Sequence, residues 1–222
     1  MKKIRMVLAA GVMSATLLAA GPAHAGGTAT VNVVHGIPGV AVNVCVDGTS
    51  VRDDFRFGRK IVGAELPAGS HRVKLVPSGS ECSVRAILVE RYRLHAGMNV
   101  TIVANLDASG TPNLAVFANN VRPTSEGNAR LSVRHTADAP AVNVWANGSR
   151  LIGGTGFTWA KSATLQVPAD RYRVKVTLPR SETPVIGPAV LHLGAGKAYQ
   201  VYAVGDAHGY RLVEIPARVG AK

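Results

Sequence analysis

The chain has 222 residues and a formal net charge of +12. Its two cysteines, Cys45 and Cys82, form no CxxC redox motif, and the glycines of Gly153-Gly154-Thr155-Gly156 lack the lysine and the following helix of a phosphate-binding loop. With aromatic residues at 5%, a β-rich core needs most of its large side chains for itself.

Lys2, Lys3 and Arg5, the apolar stretch Met6 to Ala20 and the small-x-small triplet Ala23-His24-Ala25 read as a secretory signal peptide over residues 1–25, leaving a mature chain from Gly26. No second apolar run of that length follows, so no transmembrane segment is expected after cleavage. The mature chain is one pattern written twice. LSVRHTADAPAVNVWANG at 131–148 repeats VNVVHGIPGVAVNVCVDG at 31–48, and Val73-Lys74-Leu75 returns as Val174-Lys175-Val176.

Within each copy the pattern is that of strands. Val40 to Val46 is rich in β-branched residues and ends at Asp47-Gly48, a dipeptide that favours a tight hairpin; Asn147-Gly148 ends the matching run. Further short runs at Val84 to Leu94, Asn99 to Asn105, Leu114 to Ala118, Ala189 to Leu193, Ala198 to Val204 and Tyr210 to Ile215 are bounded by Gly, Pro or Asp. Seven or so strands per copy predict an all-β chain of two tandem antiparallel β-sandwiches, immunoglobulin-like or transthyretin-like. The sandwiches are placed at 26–118 and 129–222, joined by a polar linker at 119–128 that carries proline and glycine.

The segment His135-Thr136-Ala137-Asp138-Ala139-Pro140-Ala141-Val142-Asn143-Val144, ending in Asn147-Gly148, resembles the HxSPDAPxVDVYVDG signature of the DUF4397 family of bacterial exported proteins. Val167-Pro168-Ala169-Asp170 followed by Tyr172 to Val176 is similar to that family's L-x-A-G-x-Y-x-V-x-V strand. The resemblance covers both copies and implies an extracellular β-rich module without an assigned activity. The first copy departs from it with Gly36-Ile37-Pro38-Gly39-Val40 in place of SPDAP, and Asn43 and Asn143 stand where the acid of VDV is usual.

In an exported chain, Cys45 and Cys82 are expected to form a disulfide, and Trp145 supplies bulk where the second copy has no cysteine. Residues 122–222 carry thirteen Lys and Arg against six Asp and Glu, whereas residues 26–121 carry nine against seven. In Arg171-Tyr172-Arg173-Val174-Lys175-Val176 the basic residues share one face, so Arg171, Arg173 and Lys175 are candidate contacts for an anionic polymer. Phe157 and Trp159, like Phe55 and Phe57, are spaced to share one face of a short strand. They are expected as core plugs, with a sugar- or polymer-binding platform as the alternative.

Catalytic constellations are weak. Ser78 has no nucleophile elbow, and adjacent Asp53 and Asp54 would point to opposite faces of a strand. The repeated His35 and His135 are expected to hydrogen-bond a neighbouring turn, with a ligand or base role as the alternative. The sequence thus points to a secreted or wall-associated, non-catalytic, monomeric protein of the cell envelope, with an anionic wall polymer or another envelope protein as the expected partner. No cofactor, metal site or specific nucleic-acid partner is expected. The other reading is an extracellular hydrolase with a site in the cleft between the two domains.

Overall fold

A computed structural model describes residues 26–220; residues 1–25, expected to form a signal peptide, lie outside the described residues. The first half contributes β1 (Thr28–His35), β2 (Ala41–Val46), β3 (Thr49–Arg56), β4 (Lys60–Pro67), β5 (Gly69–Pro77), β6 (Leu88–Leu94), β7 (Asn99–Leu106) and β8 (Pro112–Ala118). The second contributes β9 (Asn128–His135), β10 (Val142–Ala146), β11 (Ser149–Phe157), β12 (Ser162–Pro168), β13 (Asp170–Thr177), β14 (Pro184–Leu193), β15 (Lys197–Asp206) and β16 (Gly209–Arg218). Among the described residues no helix is long and apolar enough to cross a membrane.

The hairpins form where the dipeptides place them. Asp47 and Gly48 take φ of 51° and 89°, and Asn147 and Gly148 take 48° and 84°. Two left-handed residues in succession give the turn whose twist matches the flanking strands, and Asn, Asp and Gly tolerate that conformation best. Each half folds as two four-stranded sheets, ordered β4-β1-β7-β8 with β3-β2-β5-β6 in the first and β12-β9-β15-β16 with β11-β10-β13-β14 in the second. The β-sandwich class therefore stands, with one addition. β1 runs parallel to β7 and β9 parallel to β15, at the centre of their sheets.

Parallel central strands are usually covered on both faces, and here the second cover is the other half of the chain. Val31, Val33, Val100 and Ile102 pack inward against Val44, Val73 and Leu75. Val34 and Val103 point the opposite way and meet Tyr202, Val204, Val213 and Ile215 of the second half in a third apolar cluster. Beyond it, Leu131, Val133 and Val201 pack on Val144, Val174 and Val176. The molecule is a stack of four sheets, with β3-β2-β5-β6 and β11-β10-β13-β14 as its outer layers.

The join between halves has an approximate two-fold relation. Trp159 of the second half donates its Nε1 to the Leu106 carbonyl of the first at 3.0 Å. At the matching place Phe57 of the first half packs against Gly205 and lies under the Arg211 guanidinium at 5.2 Å. The segment 119–128 is strapped to this join rather than free. Arg130 donates to the carbonyls of Asn120, Arg122 and Pro123, and Thr124 donates to the Asn128 carbonyl at 3.0 Å. Arg134 donates to the Ala118 carbonyl and to Asn119 Oδ1, both at 2.8 Å, and to the Tyr202 hydroxyl.

Gly36 lies at the same seam, where its carbonyl accepts from the Gly205 amide at 3.1 Å. A Cβ there would stand 2.8 Å from the Ala104 carbonyl oxygen and 3.0 Å from Val204 Cβ, atoms that cannot yield without moving backbone. Gly36→Val is expected to cost about 1–3 kcal/mol of unfolding free energy by overpacking. Gly209→Ala, which enters open space, should change it by less than about 0.5 kcal/mol. Urea titration of both variants tests the difference.

Candidate binding face

On β13 the side chains alternate: Tyr172, Val174 and Val176 pack on the second core, so Arg171, Arg173 and Lys175 share the outward face. Arg171 and Arg173 are exposed, whereas Lys175 is half-buried. The cause is Trp145, which is in register with Lys175 across β10 and β13. The Lys175 ammonium lies 5.5 Å from the centre of the Trp145 ring and donates to the Glu182 carbonyl at 3.3 Å. Trp145 is itself pinned by its Nε1, which donates to Thr177 Oγ1 at 3.0 Å. Arg150 of β11 is in register with Trp145 on the other side. A row of cation, indole and cation thus crosses three strands, and Trp145, Arg173, Pro184 and Pro188 border a shallow hollow beside it. Among the described residues the ion pairs are Arg56–Asp54 and His71–Asp47, and neither involves a residue of this face.

Sequence reasoning treated Trp145 only as bulk replacing a cross-link. Its matching position does carry the cross-link: Cys45 and Cys82 are joined, and Cys45 is in register with Lys74 as Trp145 is with Lys175. Lys74 Nζ donates to the carbonyls of Cys82 and Val84 at 2.6 and 3.1 Å, so in the first half the β5–β6 loop is tied over the face. In the second half the corresponding loop is shorter and the indole takes its place.

The aromatic platform does not form. Phe157 is buried in the second core against the His135 ring at 6.1 Å, and Phe55 is buried against His35 at 5.6 Å. β11 ends at Phe157 and the chain turns through Ala160 at φ 64°, so the two-residue spacing no longer means a shared face. Trp159 goes to the join between halves instead.

The two histidines close the turns that follow β1 and β9. His35 Nδ1 accepts from the Ile37 amide at 3.2 Å, and the His135 ring bonds the Pro140 carbonyl through Nε2 at 3.0 Å. Burial lowers the pKa of His35 to about 4, with only a partial opposing effect from the Val40 carbonyl; burial lowers that of His135 as well. Because the folded state resists protonation, stability is intact above the unfolded value near 6.5 and falls as pH drops from there toward 4. For His35 the loss reaches about 3 kcal/mol at about 1.4 kcal/mol per unit. Urea unfolding at pH 7 and pH 4 should show it, and His35→Asn should show a smaller drop.

Asp53 and Asp54 depart from strand alternation. A bulge between β2 and β3, with Asp54 at φ 47°, turns both toward one shallow hollow shared with Asn43 and Ser78. Each is already engaged: Asp53 accepts from Ser50 Oγ at 2.6 Å and Asp54 from Arg56 Nε at 2.8 Å, a bond that holds the Asp54 carboxyl below its ordinary range. The amide at position 43 has a structural reason. Asn43 Oδ1 accepts from the Asp54 amide at 3.0 Å while its Nδ2 donates to the Ser80 carbonyl at 2.9 Å, a donor role no carboxylate fills. Asn143 accepts from the Gly154 amide at 3.0 Å in the same way. Among the described residues no group of three or more His, Cys, Asp or Glu is placed to hold a metal ion.

Four stacked sheets with a cationic outer layer define a β-sandwich protein. The chain belongs to the DUF4397 family: the family model described as a domain of unknown function matches residues 29–145 and 136–218. No curated protein matches the sequence. Among solved structures, the Bacillus anthracis TIE protein is similar at 14% identity over 80% of this chain, with a TM-score of 0.25. This chain covers 34% of that one, about a third of its length. A candidate cell adhesion protein from Bacteroides eggerthii DSM 20697 is similar at 7% identity over 87% of this chain and 96% of that one, with a TM-score of 0.21.

Proposed function

We propose that the mature chain is a secreted, non-catalytic binding protein of the cell envelope that holds an anionic polymer on the outer face of its second half. The observation that carries this reading is the row of Arg150, Trp145 and Lys175 beside exposed Arg171 and Arg173, with no carboxylate paired to any of them. Unpaired guanidiniums suit phosphate or carboxylate groups spaced along a chain, and the indole offers a flat surface to a sugar ring. The hydrolase reading needs a cleft between the halves. The centre of that region is packed with Val34, Val103, Tyr202 and Val204, and Arg134 there is spent on Asn119, Ala118 and Tyr202; at its rim Ala108 with Asp138, Asp206, His208 and Tyr210 line an open hollow, where a hydrolytic site would have to lie.

Attraction of this kind weakens with salt, because the screening length falls from about 10 Å at 0.1 M to about 3 Å at 1 M. Retention of the protein on an insoluble envelope fraction is therefore expected to be strong at 0.1 M salt and weak at 1 M. The triple variant Arg171→Ser/Arg173→Ser/Lys175→Ser should be retained less at low salt while keeping the wild-type unfolding midpoint. A double variant sparing half-buried Lys175 should show the same direction. Retention indifferent to salt and to both variants would rule out a polymer held by charge and favour a protein partner.

A further inference from the structure

We infer that the chain is a two-sided cross-bridge: a second basic face, on the outer sheet of the first half, points away from the first and holds a second anionic polymer. This rests on the reading just proposed and adds a site to it. In β5, Val73 and Leu75 pack on the first core, so Arg72 and Lys74 face outward. Arg91 and Arg93 of β6 are in register with Arg72 and Ser70 and share that face. Arg72 thus stands directly opposite Arg91, a like-charge pair that is unfavourable on an isolated sheet. An anion between them removes the repulsion.

Of the acids of the first half, Asp47 is the neighbour of these arginines: against the cost of burial, the Arg72 amide, the His71 ring and the charge of Arg91 hold its carboxyl below the ordinary range. Glu90 is in register with the core residue Val73 and turns from the face, and Asp53 and Asp54 sit on β3 at the opposite edge of the sheet. Asp47, at the end of β2, is engaged by the His71 ring at 2.7 Å and the Arg72 amide at 2.8 Å. Arg72, Arg91 and Arg93 are exposed and, among the described residues, unpaired. Arg72 and Lys74 occupy the positions that Arg173 and Lys175 occupy in the second half, so both copies carry the same basic element. The four-sheet stack then fixes their relation. Two outer sheets with two inner sheets between them present opposite faces about 30 Å apart, three spacings of about 10 Å. The buried cluster at the join keeps them from turning to one side.

The test uses the full mature chain with latex beads coated in long-chain polyphosphate, and uncoated beads as control. Binding is read as depletion of protein from the supernatant and bridging as turbidity. Wild type is expected to bind and cluster coated beads at 0.1 M salt and release them at 1 M. Arg72→Ser/Arg91→Ser/Arg93→Ser and Arg171→Ser/Arg173→Ser should each still bind, yet lose bead clustering, because each keeps only one arm of a bivalent contact. Arg→Lys at the three first-half positions should keep clustering, which separates lost charge from lost fold. Binding by wild type without clustering, or wild-type clustering by the first-half Ser variant, overturns the bridge and leaves the second-half site standing. Absence of binding by wild type overturns both.

Discussion

Tyr202→Ala is expected to lower the unfolding free energy by about 3–5 kcal/mol, the range for deleting a large buried ring. Tyr202 is 0% exposed at the centre of the join, with Val34 and Val103 on one side and Val204, Val213 and Ile215 around it. Its loss also strips the Arg134 guanidinium of a hydroxyl partner and of one of the two rings that enclose it, Phe117 at 4.9 Å and Tyr202 at 5.2 Å. For a domain pair of this size the midpoint should fall by roughly 10 °C. Tyr202→Phe keeps the ring and should cost about 2 kcal/mol, the value of a hydrogen bond to a charged group. Limited proteolysis supplies the local readout, since loosening the join frees the strap at 119–128 for cleavage. A Tyr202→Ala protein within about 1 kcal/mol of wild type would mean that the halves do not depend on each other.

Removing the disulfide comes second in expected effect. Cys45 and Cys82 close a loop with a sequence separation of 37, which the chain-entropy account values at about 4 kcal/mol. Cys45→Ala/Cys82→Ala should lower the first half's stability by that order, while the second, which has no cysteine, should lose only the support it draws from the join. Calorimetry should then resolve two transitions where wild type shows one or a narrower pair. Lys74, whose ammonium bonds the carbonyls of Cys82 and Val84, is the other tie on that loop. Its charge is not enough to replace a covalent closure, so cleavage within 78–87 should accelerate in the double variant. If the midpoint moves by only a degree or two, Lys74 and the packing of Cys45 hold the loop.

The repeat, the hairpins and the disulfide were readable because each rests on local chemistry: two left-handed residues in Asp47-Gly48, strict alternation in β13, an even pair of thiols. The four-sheet stack was not. Alternation identifies one covered face, and the second cover of β1 and β7 comes from residues a hundred positions away. The near-continuous apolar run of β15 was the available signal, but Asn32, Thr101 and Gln200 place polar atoms in the join and disguise it. Phe157 plugs the core as its spacing suggests, but Trp159 does not share its face because the strand ends between them. On the candidate face, Arg171, Arg173 and Lys175 followed from spacing alone. Trp145 emerged only from cross-strand register, and the basic face of β5 and β6 was masked by the near-neutral charge count of its half.

Arg134 gives the join a sense of direction. Its counterpart in the first half is Val34, so one half brings a guanidinium and the other brings the acceptors for it, Asn119 and the Ala118 carbonyl. Two first halves meeting through the same surface would leave those acceptors without a donor, and two second halves would confine a pair of guanidiniums in a dry contact. One residue therefore makes the union of unlike halves favourable and both unions of like halves costly, which selects a first half meeting a second half over like halves meeting each other.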